Sequence, residues 1–152
     1  MAKGDQRAHN QLTAYFCHLA EAFGLPRSVA QIYQVLFLSE NPLAVTDVVT
    51  RSGLSKGSVS TGLRLLERLK FVHPVIIPDD RRSFYRPELS LRRLAVGLVE
   101  ENFLPVLEKG RVTLEEISLL KNLSPHYEAR LASLRHWNET ARGLLPALSL
   151  LD

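Results

Sequence analysis

Gly53 stands between two helical patterns, and the short distance separating them leaves few folds open to this chain. On its N-terminal side, Thr46 to Ser52 reads as a short helix, with Thr46 as N-cap and Gly53 as a left-handed C-cap. After a two-residue turn, Ser55 can cap a second helix that runs to about Lys70. Two helices across so tight a turn form a helix-turn-helix. At about 100° per residue, Val59, Gly62, Leu63, Leu66 and Lys70 share one side of the second helix. Most of these are aliphatic, and Gly62 would let a neighbouring helix approach closely. The opposite side carries Gly57, Ser60, Thr61, Arg64 and Arg68, flanked by Lys56 and Ser58. A face that is small and polar at its leading end and basic beyond it can sink into a major groove, where the N–H groups of a helix start attract phosphate.

The next stretch extends that reading. The runs VHPVIIP and SFYRPE are β-prone and joined by Asp79-Asp80-Arg81-Arg82, which predicts a small two-stranded hairpin. Pro74 confines its strand to an edge. Arg81 and Arg82 at a hairpin tip are poorly placed for a core but well placed to enter a minor groove or clamp phosphates. A helix-turn-helix followed by such a hairpin is a winged helix. Charge agrees: between Arg51 and Arg93 lie ten Lys and Arg against four acids, whereas the rest of the chain is net acidic. A basic middle in an acidic frame is the footprint of a nucleic-acid-binding module.

Helices are expected on both sides. Gly4-Asp5 can cap a first helix with the apolar stripe Leu12, Tyr15, Phe16, Leu19, Ala22 and Phe23, closed by Gly24. Pro26 suits the first turn of a second, with Val29, Ile32, Tyr33, Leu36 and Phe37 inward. Beyond Ser90, Leu91, Leu94, Leu98, Phe103, Leu104 and Leu107 mark a long helix with a kink or break at Pro105, continuing to Asn122. Ser124-Pro125 starts another, ending near Gly143, and the tail LLPALSLLD is apolar enough to pack on something. These helices carry more apolar surface than a winged helix needs. The surplus reads as a dimer interface joining both ends of two chains, matched to a palindromic DNA operator.

With 152 residues the chain can bury a core without disulfides, and its one cysteine, Cys17, rules out a disulfide framework or cysteine-based zinc site within the chain. Cys17 reads as a small buried hydrophobe beside the first stripe. No apolar run approaches a membrane span and no signal peptide is evident, which points to the cytoplasm. The histidines show no ligand spacing, and no nucleophile-base pair, P-loop or dinucleotide fingerprint appears, so neither a metal, a cofactor nor an enzyme is expected.

The stretch LSKGSVSTGLRLLERLKFV (54–72) with the tip DDRR (79–82) resembles the multiple-antibiotic-resistance regulator (MarR) family. GLPRSVAQIYQVLFLSENPLAVTDVV (24–49) is similar to its GbsR-type branch. The resemblance implies an obligate dimer with a winged helix in each subunit. It places Lys56, Ser58, Ser60, Thr61 and Arg64 on recognition-helix positions and Arg81 and Arg82 on the wing tip. It leaves open a small-molecule effector, of choline or betaine type in that branch, and a redox role for Cys17. Relatives usually have Gly where this chain has Lys70, so the helix ends differently or Lys70 takes a strained conformation.

The expected architecture is therefore mostly α: a winged helix-turn-helix (three-helix core plus two-stranded wing) at 26–90, between dimerisation helices at 1–25 and 91–152. The expected function is sequence-specific binding of double-stranded DNA by a homodimeric transcription regulator, repressing by occlusion, with contacts from Ser55, Lys56, Ser58, Ser60, Thr61, Arg64, Arg81 and Arg82. The alternative is a winged-helix protein-interaction module, since a fold does not fix a function.

Overall fold

The computed structural model describes residues 3–150. The chain divides between Ser90 and Leu91 into two compact units. In the first, helices α1 (Lys3–Ala22) and α2 (Arg27–Phe37) are followed by β1 (Leu43–Ala44), α3 (Val45–Ser52), α4 (Lys56–Arg68), β2 (Val72–Val75) and β3 (Phe84–Pro87). Helix α2 packs on α1, α3 and α4. Ile32 and Leu36 from α2, Val48 from α3, and Val59, Leu63 and Leu66 from α4 are almost wholly shielded from water, as are Leu69 and Val72 beyond it. Gly62 permits this packing: a Cβ there would overlap Cδ1 of Ile32.

Local signals placed most boundaries. Gly53 closes α3 at φ 70°, and Ser55 caps α4, its Oγ accepting from the Ser58 N–H at 3.1 Å. The N-cap of α3, however, is Ala44 and not Thr46. Asp47 stabilises that start, its carboxylate accepting from the Ala44 N–H at 3.0 Å. Pro26 likewise precedes α2 as its N-cap instead of sitting in the first turn. Helix α1 runs through Gly4 and Asp5, and its inward face is shifted from the expected stripe: Phe16 packs inward, but Tyr15, Ala22 and Phe23 do not. Cys17 and Ala20 are buried against Ala30, with Phe16 and Leu25 beside them, while Tyr15 and Phe23 are about half exposed. Small side chains allow the close approach to α2, and of the large apolar ones Phe16 packs against it while Tyr15 and Phe23 are left more exposed.

The sheet has three strands, not two. Strand β3 is central, with β2 antiparallel on one side (Val72↔Pro87 to Val75↔Phe84) and β1 on the other (Leu43↔Tyr85, Ala44↔Phe84). Pro74 falls on the edge strand β2, as its missing N–H requires. The base of the wing is held by Tyr33 and Glu88. The Tyr33 hydroxyl donates to the Glu88 carbonyl at 2.5 Å, and the Glu88 N–H donates to the Phe71 carbonyl at 2.8 Å.

Lys70 does take the left-handed conformation, at φ 62°. The Phe71 N–H reaches the Leu66 carbonyl at 2.8 Å and the Lys70 N–H the Glu67 carbonyl at 2.9 Å. These two bonds are a Schellman closure with lysine in the position glycine usually fills. The helix therefore ends at Arg68, and Leu69, not Lys70, continues its buried side. Lys70→Gly should raise stability by about 0.5–1 kcal/mol, the strain of a Cβ in that region less the extra freedom of glycine when unfolded. Urea midpoints of the two proteins measure it.

The second unit holds α5 (Leu91–Leu98), a π-helical turn (Val99–Phe103), α6 (Leu104–Ser118), α7 (Pro125–Leu144) and a 3₁₀ segment (Leu145–Leu150). Pro105 lacks an N–H and its ring crowds the carbonyl of Glu101, so the turn before it widens. There the Leu104 N–H bonds to Val99, five residues back. Ser124 caps α7, accepting from the Tyr127 N–H at 3.3 Å. Asn138 is buried and donates to the Leu107 carbonyl at 3.0 Å, and Arg142 pairs with Glu108 at 2.5 Å, which clasps α7 to α6. Helix α6 stops at Ser118, short of Asn122. Leu145 and Pro146 of the apolar tail meet Val96, Val99 and Leu104, whereas its last two residues, Leu151 and Asp152, lie outside the described residues. Among the described residues no helix is long and apolar enough to cross a membrane.

Candidate nucleic-acid interface

Helix α4 is sharply two-sided. Val59, Gly62, Leu63 and Leu66 are buried, whereas Ser55, Lys56, Gly57, Ser58, Thr61, Arg64 and Arg68 are exposed and Ser60 is half-buried. The inward face fixes the helix against α2, so the outward face is presented by a rigid support. Nothing bulky projects at its leading end: the side chains there are Lys56, the absent one of Gly57, and two serines. Ser55 and Ser58 are committed in part to the helix start, their hydroxyls sharing a hydrogen bond at 2.9 Å in addition to the cap. Arg64 extends one turn along and donates to the Thr61 hydroxyl at 3.4 Å, which orients its guanidinium along the same face.

The tip of the wing separates two arginines that look alike in the sequence. Arg82 is pinned: its Nε lies 3.1 Å from both Asp80 carboxylate oxygens, its Nη2 lies 2.7 Å from Oδ2, and its backbone N–H donates to Oδ1 at 3.0 Å. Its guanidinium also lies 5.0 Å from the centroid of the Phe84 ring. Hydrogen bonds from Arg82 hold the Asp80 carboxyl below the usual carboxylate range, and Asp80 in turn raises the Arg82 guanidinium. A lowered carboxyl pKa means that the pairing is intact above the ordinary aspartate range and is lost as pH falls through the lowered value. Arg81 makes none of these contacts and is exposed. The wing thus carries one arginine that shapes the loop and one that reaches outward. Asp80 and Phe84 were not foreseen in this role, although an aspartate two residues before an arginine was the signal for it.

Among the described residues no group of three or more His, Cys, Asp or Glu is placed to hold a metal. Behind the helix, Phe16 packs edge-on to both Tyr33 and Phe37, at 5.4 and 5.3 Å between ring centroids, and Phe71 lies 6.1 Å from Tyr33. What the arrangement offers is a rigid, convex, basic helix face beside a basic loop.

Comparison with known proteins places this geometry. Residues 19–83 match the model of the MarR family. Over 113 residues the chain is 19% identical to the HTH-type transcriptional repressor OpcR of Bacillus subtilis, a match that covers 74% of this chain and 61% of that one. It is 21% identical to YvaV of the same organism over 126 residues, covering 76% of this chain and 71% of that one. A crystal structure of a transcriptional regulator superposes with a TM-score of 0.68 at 20% identity, over 93% of this chain and 92% of that one, which shows a shared fold.

Proposed function

We propose, from the match of residues 19–83 to the MarR-family model, that the chain is a MarR-family, sequence-specific DNA-binding transcription regulator that acts as a homodimer on a palindromic operator. The observation that carries this reading is the division of α4 into a wholly buried face and an exposed one bearing Lys56, Thr61 and Arg64, with Ser60 half-buried at its edge. Each α4 enters a major groove, and each wing reaches the flanking minor groove with Arg81, while Arg82 holds the loop in shape. Ser55 and Ser58 present the helix start to phosphate. The half-sites lie about one helical turn apart, roughly 34–36 Å. Residues 1–25 and 91–152 supply the dimer contacts, in keeping with the exposed Tyr15, Phe23, Leu134 and Trp137. Its mode of action in this reading is repression by occluding a promoter. Membership of the GbsR-like branch, and with it a small-molecule effector, rests on the resemblance of residues 24–49.

Binding of the DNA upstream of the protein's own coding sequence tests this. Arg64→Ala is expected to cost about 1–3 kcal/mol of specific affinity with the dimer intact. Arg81→Ala should reduce the magnitude of the slope of log affinity against log salt by about one contact per subunit. Arg82→Ala should change that slope less, because Asp80 already neutralises its charge. Equal effects of all three on unrelated DNA would leave a non-specific surface and contradict the reading.

A further inference from the structure

Ile76 is 94% exposed, the most open of the large apolar side chains among the described residues. It lies one position past Val75↔Phe84, the last paired position of the wing. The wing has its own inward residues, Val72 and Phe84, both buried. Ile76 adds nothing to that core, and its apolar surface stays open to a partner. Two positions before it on the edge strand stands the exposed Pro74, which pairs with the half-buried Tyr85. A groove of about 280 Å³ is lined by these three together with Arg81, Arg82 and the acids Asp80 and Glu67, the last at the end of α4. Pro74, Ile76 and Tyr85 thus give the groove an apolar strip, and Arg81, which Asp80 does not hold, gives it a cation.

Surfaces that combine an apolar wall with nearby negative charge suit this strip, and the minor groove of duplex DNA is one: deoxyribose lines its sides and phosphates rim it. Isoleucine is among the side chains that wedge against base steps from that groove. The floor differs between base pairs, since guanine places its N2 amine there and A·T pairs leave it clear. We propose that Ile76 is a specificity-determining residue of the wing, packing into the minor groove beside Arg81 and favouring A·T over G·C pairs in the operator flanks. This rests on the DNA-binding reading above.

The test uses the full-length protein and an operator duplex in three versions, with A·T, G·C or inosine·C pairs at the flanking wing positions. Inosine·C presents a minor groove without the amine and a major groove like that of G·C. Wild-type protein should bind the A·T and inosine·C versions alike and the G·C version about tenfold more weakly, equivalent to about 1.4 kcal/mol. Ile76→Ser should melt as the wild type does, lose about tenfold on the first two versions, and show less than about twofold preference among the three. Ile76→Leu should keep the preference. A serine variant that retains the wild-type preference, or inosine·C behaving as G·C, overturns the assignment to Ile76 while leaving DNA binding in place. Absence of binding by the wild type to every version overturns both.

Discussion

Gly62→Val should cost about 3 kcal/mol of stability, the largest effect expected from a single change in the first unit. Even one added carbon overlaps Cδ1 of Ile32, and Cγ2 of Val29 lies only 4.0 Å away. Ile32 has no exposed surface, so its side chain has nowhere to go without moving α2 from α4. Gly62→Ala separates the terms. Alanine gains about 1 kcal/mol of helix propensity over glycine, whereas overpacking costs about 1–3 kcal/mol. A net loss of about 1–2 kcal/mol is expected. Ile32→Val removes the clashing carbon for about 0.5–1.5 kcal/mol on its own. The Ile32→Val, Gly62→Ala pair should therefore be more stable than the sum of the single changes predicts, by about 1 kcal/mol. Urea unfolding of the set reads this. Stabilisation by Gly62→Ala alone would mean that the two helices do not approach as closely as described.

The second large effect is a loss of stability in alkali that passes through Tyr33. Burial, and next the nearby Glu88 charge, push its phenol from 10.0 to about 12. A folded pKa above the unfolded one contributes stability that is complete below pH 10 and lost as pH rises from 10 towards 12. The loss over that window is about 2–3 kcal/mol. Tyr33→Phe should cost about 1–2 kcal/mol at neutral pH, because the Glu88 carbonyl loses its donor. It should also lack this part of the alkaline decline, so the gap between the two proteins narrows and then reverses with rising pH. A constant gap from neutral pH to the end of the window would contradict the burial of the phenol. The bond matters beyond stability, since it fastens the end of β3, and with it the wing, to the helix that supports α4.

The helix-turn-helix was legible because its signals are local. Gly53 needs a left-handed turn, Ser55 caps the helix that follows, and the spacing of Val59, Leu63 and Leu66 sets the buried side. The edge role of Pro74 and the new start at Ser124 were readable for the same reason. What the sequence hid is non-local or chemically ambiguous. Strand β1 is Leu43–Ala44, too short for any alternation, and exists through pairing with Tyr85 and Phe84 far along the chain. Helix α1 carries apolar residues around much of its circumference, so pattern placed Cys17 in the core as found but did not reveal that Tyr15 and Phe23 would be left exposed. Arg81 and Arg82 are adjacent and identical in type, and only geometry shows that Asp80 and Phe84 hold one of them.

The central claim concerns the exposed face of α4 and the wing, and the salt dependence of binding by the unaltered protein tests it most directly. Fluorescence anisotropy with the labelled upstream duplex, between about 50 and 200 mM salt, gives the slope. If Lys56, Arg64 and Arg81 of each subunit meet phosphates, roughly six contacts are made and the slope of log affinity against log salt is roughly −5. A scrambled duplex should bind more weakly by about a thousandfold or more. No saturable binding at the lowest salt, or affinity that ignores salt, would contradict the account.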